Sequence, residues 1–473
     1  MKGQHYSEDR EFLKELLRQY ENLRSGKSHA FIDEEAFEKI IDYFDEREEV
    51  SQALEAAEFG IEQYAYSSSL LIRKADLLLA SRRYKAALDT LEQAGIYDSS
   101  DINLYILKTD ALLALDLQEQ AVELLKKALS LFEGEEKIEL LFELADVYDD
   151  YEEFDKVFDC LRMILESDMN NEEALYKICF WTEFTGRNEE SIKLHQEIID
   201  EYPYNELAWF NLGAAFQGLK LYEKSIDAYK YAVTIDEKFD YAYRNMGDAY
   251  IRLRKFKDAI EMLEKVLELS KPEDVIYEAI AHCYERLKNF AQARFHYRKA
   301  VHLNPEESKL FYKIACTYYH EGQYEAAIKQ LVNATRIHRN NTEYLLLMGE
   351  CRMKLESFKE AIQNFSDVVR IKPRSMGGWE ALIRCLYIAG YYEEAVEQVK
   401  VAIEISNGKP LFQFYNSAIL FAMGKNKMAL LQLERAMDKS PRLLKKFVEL
   451  NPSILQNQQV VDLIARFKRN KSI

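Results

Sequence analysis

Proline and glycine are scarce, 7 and 16 among 473 residues, and neither is concentrated in any stretch. No low-complexity tract appears, and no run of like charge is long enough to read as a disordered tail. The six cysteines include no CxxC pair, which argues against a zinc ribbon or a redox dithiol. No segment approaches the ~20 apolar residues of a membrane span, and the start, Met1 to Arg10, lacks the apolar core of a signal peptide. A cytoplasmic chain without membrane insertion is expected. Also missing are a glycine-rich phosphate loop, GxSxG, HExxH and an Asp/Asn-rich calcium loop. We therefore expect no catalytic centre, no cofactor and no metal. What remains, 48% apolar and 30% charged residues, suits an all-helical soluble protein.

A small residue returns every 34 positions: Ala53, Ala87, Ala121, then Val157, Ser191 and Ser225, then Ala259, Ala293, Ala327, Ala361, Ala395 and Ala429. The register slips once, by two residues, between Ala121 and Val157. Such a period is the length of one helix–turn–helix unit of a stacked solenoid. Twelve repeats follow, starting at Glu34, Ser68, Ile102, Ile138, Glu172, Glu206, Asp240, Asp274, Ser308, Thr342, Met376 and Pro410, with Glu136 and Lys137 as the insertion. Pro203, Pro305, Pro373 and Pro441 stand at position 32 of their repeats. Proline costs ~3 kcal/mol inside a helix, so these positions mark joints. Cys283, Cys351 and Cys385 share one position, with Cys316 and Cys179 close to it, as small thiols at helix contacts would.

The repeat from Glu206 to Phe239 has Trp209, Leu212, Gly213 and Phe216 on its first helix and Tyr222, Ser225, Tyr229 and Ala232 on its second. Trp379 repeats Trp209, Gly247 and Gly349 repeat Gly213, and Phe256, Phe290, Tyr324, Phe358 and Tyr392 repeat Tyr222. This pattern resembles the tetratricopeptide repeat over about residues 34–443. The resemblance implies an all-α fold, a right-handed α-solenoid superhelix: an N-terminal capping helix within residues 1–33, twelve repeats over 34–443, and C-terminal capping helices within 444–473. Phe12, Leu16 and Tyr20 would form the inner stripe of the first cap, and Val460, Val461 and Ile464 that of the last.

In that family, positions 2, 5, 9 and 12 of each first helix line a concave groove. Here they include Tyr176, Phe180, Phe210, Tyr241, Arg244, Asp248, His282, Tyr312 and Tyr319, with Lys309, Glu350, Arg384, Tyr387, Phe414 and Phe421 further along. Asn211 and Asn245 recur at one position, as rungs of a ladder that would hold a peptide backbone. Arg244 and Asp248, one helical turn apart, are expected to neutralise each other. Aromatics interleaved with single charges suit capture of an extended peptide or a helix. Lys309 and Lys313 match only part of the clamp that other members use for chaperone C-terminal tails, so binding of such tails is not expected. His282 and His320 face the same side, but two ligands without a third carboxylate or cysteine do not make a zinc site.

Charge is divided unevenly. Residues 1–210 carry a net −27 and residues 211–473 a net +9, which favours basic partners for the first segment. A non-enzymatic protein–protein interaction scaffold is the leading expectation. The alternatives are an RNA-binding helical-repeat protein, opposed by the acidity, and an enzyme whose site carries no recognisable motif.

Overall fold

The computed structural model describes residues 2–27 and 31–470, so residues 1, 28–30 and 471–473 of the two terminal segments lie outside it. The described residues form 27 α-helices and two short 3-10 turns, with no strand. They divide into two compact units, Met1–Glu237 and Lys238–Ile473, at the joint between the sixth and seventh repeats.

Eleven of the twelve repeat starts are first residues of α-helices. The fourth departs: its first helix is Gly134–Asp150, so Glu136 and Lys137 lengthen a helix and do not enlarge a loop. Short polar side chains set several starts. Ser67, Asp101, Asn171, Asn205, Asn341 and Ser375 each accept a hydrogen bond from a backbone N–H of the first turn. Each such cap stabilises its helix by ~1 kcal/mol.

Position 15, in the turn between the two helices, has positive φ in all twelve repeats, from 58° at Glu48 to 80° at Gly390. Four repeats place glycine there, at Gly186, Gly322, Gly390 and Gly424, while eight place residues such as Arg82, Lys220 and Lys288. In ten of the twelve repeats position 8 is small, the exceptions being Ile41 and Ile383, and there the two helices approach closely. A Cβ on Gly213 would stand 2.6 Å from the Tyr229 ring, and one on Gly349 would stand 2.5 Å from Phe365.

Indole groups bind the joints. Trp209 Nε1 donates to the Pro203 carbonyl at 2.9 Å, and Trp379 Nε1 to that of Pro373 at 2.8 Å, each linking a first helix to the end of the preceding repeat. At the N-terminal end Leu16 and Tyr20 are buried, but Phe12 is exposed under the Lys39 ammonium, outside the expected stripe. At the C-terminal end Val460 and Leu463 enter the core while Val461 faces solvent. Phe447 of the short helix Leu444–Leu450 covers Phe414 and Phe421 of the twelfth repeat. Those two rings are core, not groove.

Candidate interaction surface

In the N-terminal unit the first helix of the fifth repeat, Glu172–Thr185, presents Tyr176 and Phe180, 59% and 60% exposed. Phe184, one turn further, is 57% exposed and completes a stripe at i, i+4 and i+8. It occupies position 13, outside the positions the resemblance implies, although its spacing from Tyr176 and Phe180 signals it. Phe180 stands edge-on to Trp181 at 4.9 Å between centroids and stacks with Phe184 at 5.9 Å. Trp181 and Phe184 rest in turn on Phe154 of the preceding repeat, at 5.3 and 4.7 Å. The rings are thus supported from behind and open in front.

Position 9, held by Phe180 in the fifth repeat, is aspartate in the first four: Asp42, Asp76, Asp110 and Asp146. Neighbouring first helices of these repeats pack side by side. Arg73 pairs with Asp42, and Lys177 reaches Asp146 at 4.0 Å and Glu173 at 2.8 Å. Asp76, Asp110 and Asp146 are solvent-exposed. Surrounding protein nevertheless raises all three carboxyls above their ordinary range, helped at Asp110 by the charge of Asp76. Partial burial, then Asp110, Asp146 and other carboxylates, push Glu143 up to about 7.

Phe210 is half-buried, with its ring tilted over Tyr229 at 5.6 Å. Asn211 does not face a groove. It is buried, and its Nδ2 donates to the Leu175 carbonyl at 2.7 Å and approaches His195 Nε2 at 3.1 Å. An amide committed to the neighbouring repeat cannot hold a peptide backbone, so the expected ladder loses its first rung.

In the C-terminal unit Tyr241 is 53% exposed, while Asn245 on the same helix is half-buried. Arg244 does not neutralise Asp248. It pairs with Glu273 at 2.6 Å, and Asp248 is approached by Arg252 at 3.4 Å. The Glu273 carboxylate lies in the joint ahead of the eighth repeat, within reach of a side chain that projects across it. Further along, Lys313 pairs with Glu278 and Arg384 with Glu350, each across adjacent repeats. The inner charges are largely spent on one another.

His282 is half-buried, and burial lowers its pKa, so it is neutral near pH 7. His320 lies flat on Phe290 at 5.7 Å. Among the described residues no three His, Cys, Asp or Glu side chains converge as a metal site would require. Tyr312 stacks on Tyr344 of the next repeat at 5.1 Å, and Tyr319 meets Tyr324 edge-on at 5.6 Å. Both rings serve packing with one edge accessible. Burial pushes the Cys160, Cys179, Cys283 and Cys351 thiols up to about 12, which keeps them protonated and unreactive. No described helix is long and apolar enough to cross a membrane.

Paired helices repeated through both units define a helical-repeat protein of the solenoid class. Tetratricopeptide repeat models match residues 207–239 and 244–308, and a model described as anaphase-promoting complex, cyclosome, subunit 3 matches residues 289–368. The chain is a tetratricopeptide-repeat protein. No curated protein sequence is significantly similar to it. Its fold is similar to that of YrrB, a TPR protein with an unusual peptide-binding site (19% identity, TM-score 0.35), over 40% of this chain and 96% of that one. It is also similar to the C-terminal part of a TPR repeat-containing protein from Cytophaga hutchinsonii (16%, TM-score 0.44; 54% and 99% of the chains). A third likeness is to the APC/C hetero-tetramer Cut9–Hcn1 (11%, TM-score 0.34; 83% and 97%).

Proposed function

We propose that this chain is a non-enzymatic scaffold that captures a protein segment, as an extended peptide or a helix, along the faces of its first helices. The observation that carries this reading is a set of aromatic rings, Tyr176, Phe180 and Tyr241, each more than half exposed on a helix otherwise packed into the fold. Rings on a preorganised backbone lose little conformational entropy on binding, which is why they dominate interface energetics. His282, Tyr312 and Tyr319 offer ring edges beside Tyr241 in the C-terminal unit's sequence of first helices, and Arg244 would exchange Glu273 for a carboxylate of the ligand.

Affinity capture from the native cell, read by mass spectrometry, tests the proposal when run on three full-length forms. Among partners held by the wild type and by Asp227→Ala, an exposed change on a second helix, those of the C-terminal unit should be lost with Tyr241→Ala and those of the N-terminal unit with Tyr176→Ala plus Phe180→Ala. Partners retained by every form would overturn it.

A further inference from the structure

We propose that the first-helix face of the N-terminal unit docks a cationic protein segment, with Lys or Arg residues along its length and a large apolar side chain at the end that meets the fifth repeat. The inference rests on the scaffold reading and names the chemistry of what this unit binds.

Two features of different chemistry share one register. Tyr176, Phe180 and Phe184 form an apolar stripe backed by Trp181 and Phe154. Exposed rings in a row on one helix face leave apolar area that association would remove from water. Position 9 then changes from Phe180 to aspartate in the four preceding repeats. Lys177 of the ring-bearing helix reaches Asp146 of the fourth repeat at 4.0 Å, so a ligand leaving the rings would next meet the carboxylates.

The carboxylates are under-compensated from within the chain. Among the described residues Asp110 makes no ion pair, and the charge acting on it is the like charge of Asp76. Arg73 is shared between Asp42 and Glu38, the latter at 3.9 Å. Asp76, Asp110 and Asp146 are open to solvent, yet nearby protein disfavours their charged forms. Their carboxylates lie on neighbouring, side-by-side first helices, so an extended chain crossing those helices would meet them one after another. A Lys or Arg side chain laid across them would relieve the like-charge repulsion and supply the missing counter-charge. A nucleic acid would meet a segment of net charge −27 and be repelled.

Fluorescence anisotropy on the full chain tests this with a labelled Lys- and Arg-rich peptide carrying Trp and Leu at one end. Three further probes serve as comparisons: Ser in place of Trp and Leu, Glu in place of the basic residues, and oligouridylate. Asp76→Asn plus Asp110→Asn should weaken binding of the first probe about tenfold at low salt and flatten its salt dependence. Phe180→Ala plus Phe184→Ala should weaken it about thirtyfold. Because Phe184 also packs on Phe154, Phe180→Ser alone keeps the test readable if the double variant unfolds. Equal binding of the Ser probe, tighter binding of the Glu probe or oligouridylate, or indifference to the variants would each overturn the inference. If the cationic probe fails while native partners are still captured through Tyr241, this inference falls and the scaffold reading stands. Loss of both outcomes counts against the scaffold itself.

Discussion

The Asn211 side-chain nitrogen lies 3.1 Å from His195 Nε2, joining the sixth repeat to the fifth through a buried polar contact. An amide nitrogen only donates, so Nε2 is the acceptor and the ring proton sits on Nδ1, 2.7 Å from the Ser191 carbonyl. Ser191 and Thr182 extend the network, with their hydroxyls 3.2 Å apart. His195 stands at position 24, where most repeats place Leu or an aromatic ring. The fifth repeat has thus exchanged an apolar plug for hydrogen bonds that require a neutral imidazole.

Acid should therefore loosen this joint. Burial pushes the His195 pKa down to about 4, below the ordinary 6.5 of an unfolded chain. Between those values the unfolded state binds more protons, so stability is full above about 6.5 and is lost as pH falls toward 4. The full term is about 3 kcal/mol at ~1.4 kcal/mol per pKa unit. Glu143, raised by burial, acts oppositely over much of the range, losing stability as pH rises from about 4.5 to 7. The difference between wild type and His195→Leu isolates the histidine. Urea unfolding at stepped pH should show their stability gap changing with pH in that window; parallel curves would show that the imidazole stays uncharged in neither state more than the other.

Lys220 and Lys288 hold φ at 61° and 59°, a conformation that costs a residue with a Cβ roughly 1 kcal/mol. Lys220→Gly and Lys288→Gly should each stabilise the protein by up to ~0.5 kcal/mol, because glycine removes that strain but costs ~0.4–1 kcal/mol of entropy in the unfolded chain. The pair should raise the melting temperature by about a degree. A lower melting temperature for both variants would mean that the lysine side chains contribute more than their backbone strain costs.

Gly349 offers a contrasting test, since its difficulty is space and not φ. A Cβ at that position would stand 2.5 Å from the Phe365 ring, so Gly349→Ala forces the two helices of the tenth repeat apart. Overpacking of this kind costs ~1–3 kcal/mol, against ~1 kcal/mol gained in helix propensity. A net loss of ~1 kcal/mol is expected from calorimetry. Adding Phe365→Leu, the side-chain type at Leu331 and Leu433, should recover part of it, whereas additive losses would show that the ring is not what the Cβ meets.

Much of this architecture was legible because one residue class recurs at one spacing. Ala259 through Ala429 locate the close helix contacts, and the prolines at position 32 locate the joints. Less legible was where polar and aromatic side chains spend their contacts. Asn211 reads like Asn245 in sequence, but the nearby His195 and Leu175 carbonyl draw it inward, and that depends on packing between repeats. Arg244 has Asp248 one turn away and Glu273 far along the chain, yet the fold brings the second one to it. The turn at position 15 left a trace in Gly186, Gly322, Gly390 and Gly424, obscured because eight other repeats accept strain there. Phe184 lies outside the positions typical of the family, and only its helical spacing from Tyr176 and Phe180 signals it.

Tyr241 and Tyr312 share an expected role but not an environment, and their alanine variants should separate. Tyr241 is more than half exposed, so Tyr241→Ala removes little buried area and should leave stability within about 0.5 kcal/mol. Tyr312 stacks on Tyr344 at 5.1 Å, and burial pushes its hydroxyl pKa upward, so Tyr312→Ala opens a cavity between the ninth and tenth repeats. Truncating a partly buried aromatic ring that packs across a joint should cost ~2 kcal/mol or more. Thermal unfolding followed by circular dichroism distinguishes the two directly. If both variants melt with the wild type, Tyr312 is as free as Tyr241 and both rings belong to the binding face. If both melt early, Tyr241 is holding the fold, and partner loss in Tyr241→Ala no longer reports on a binding surface.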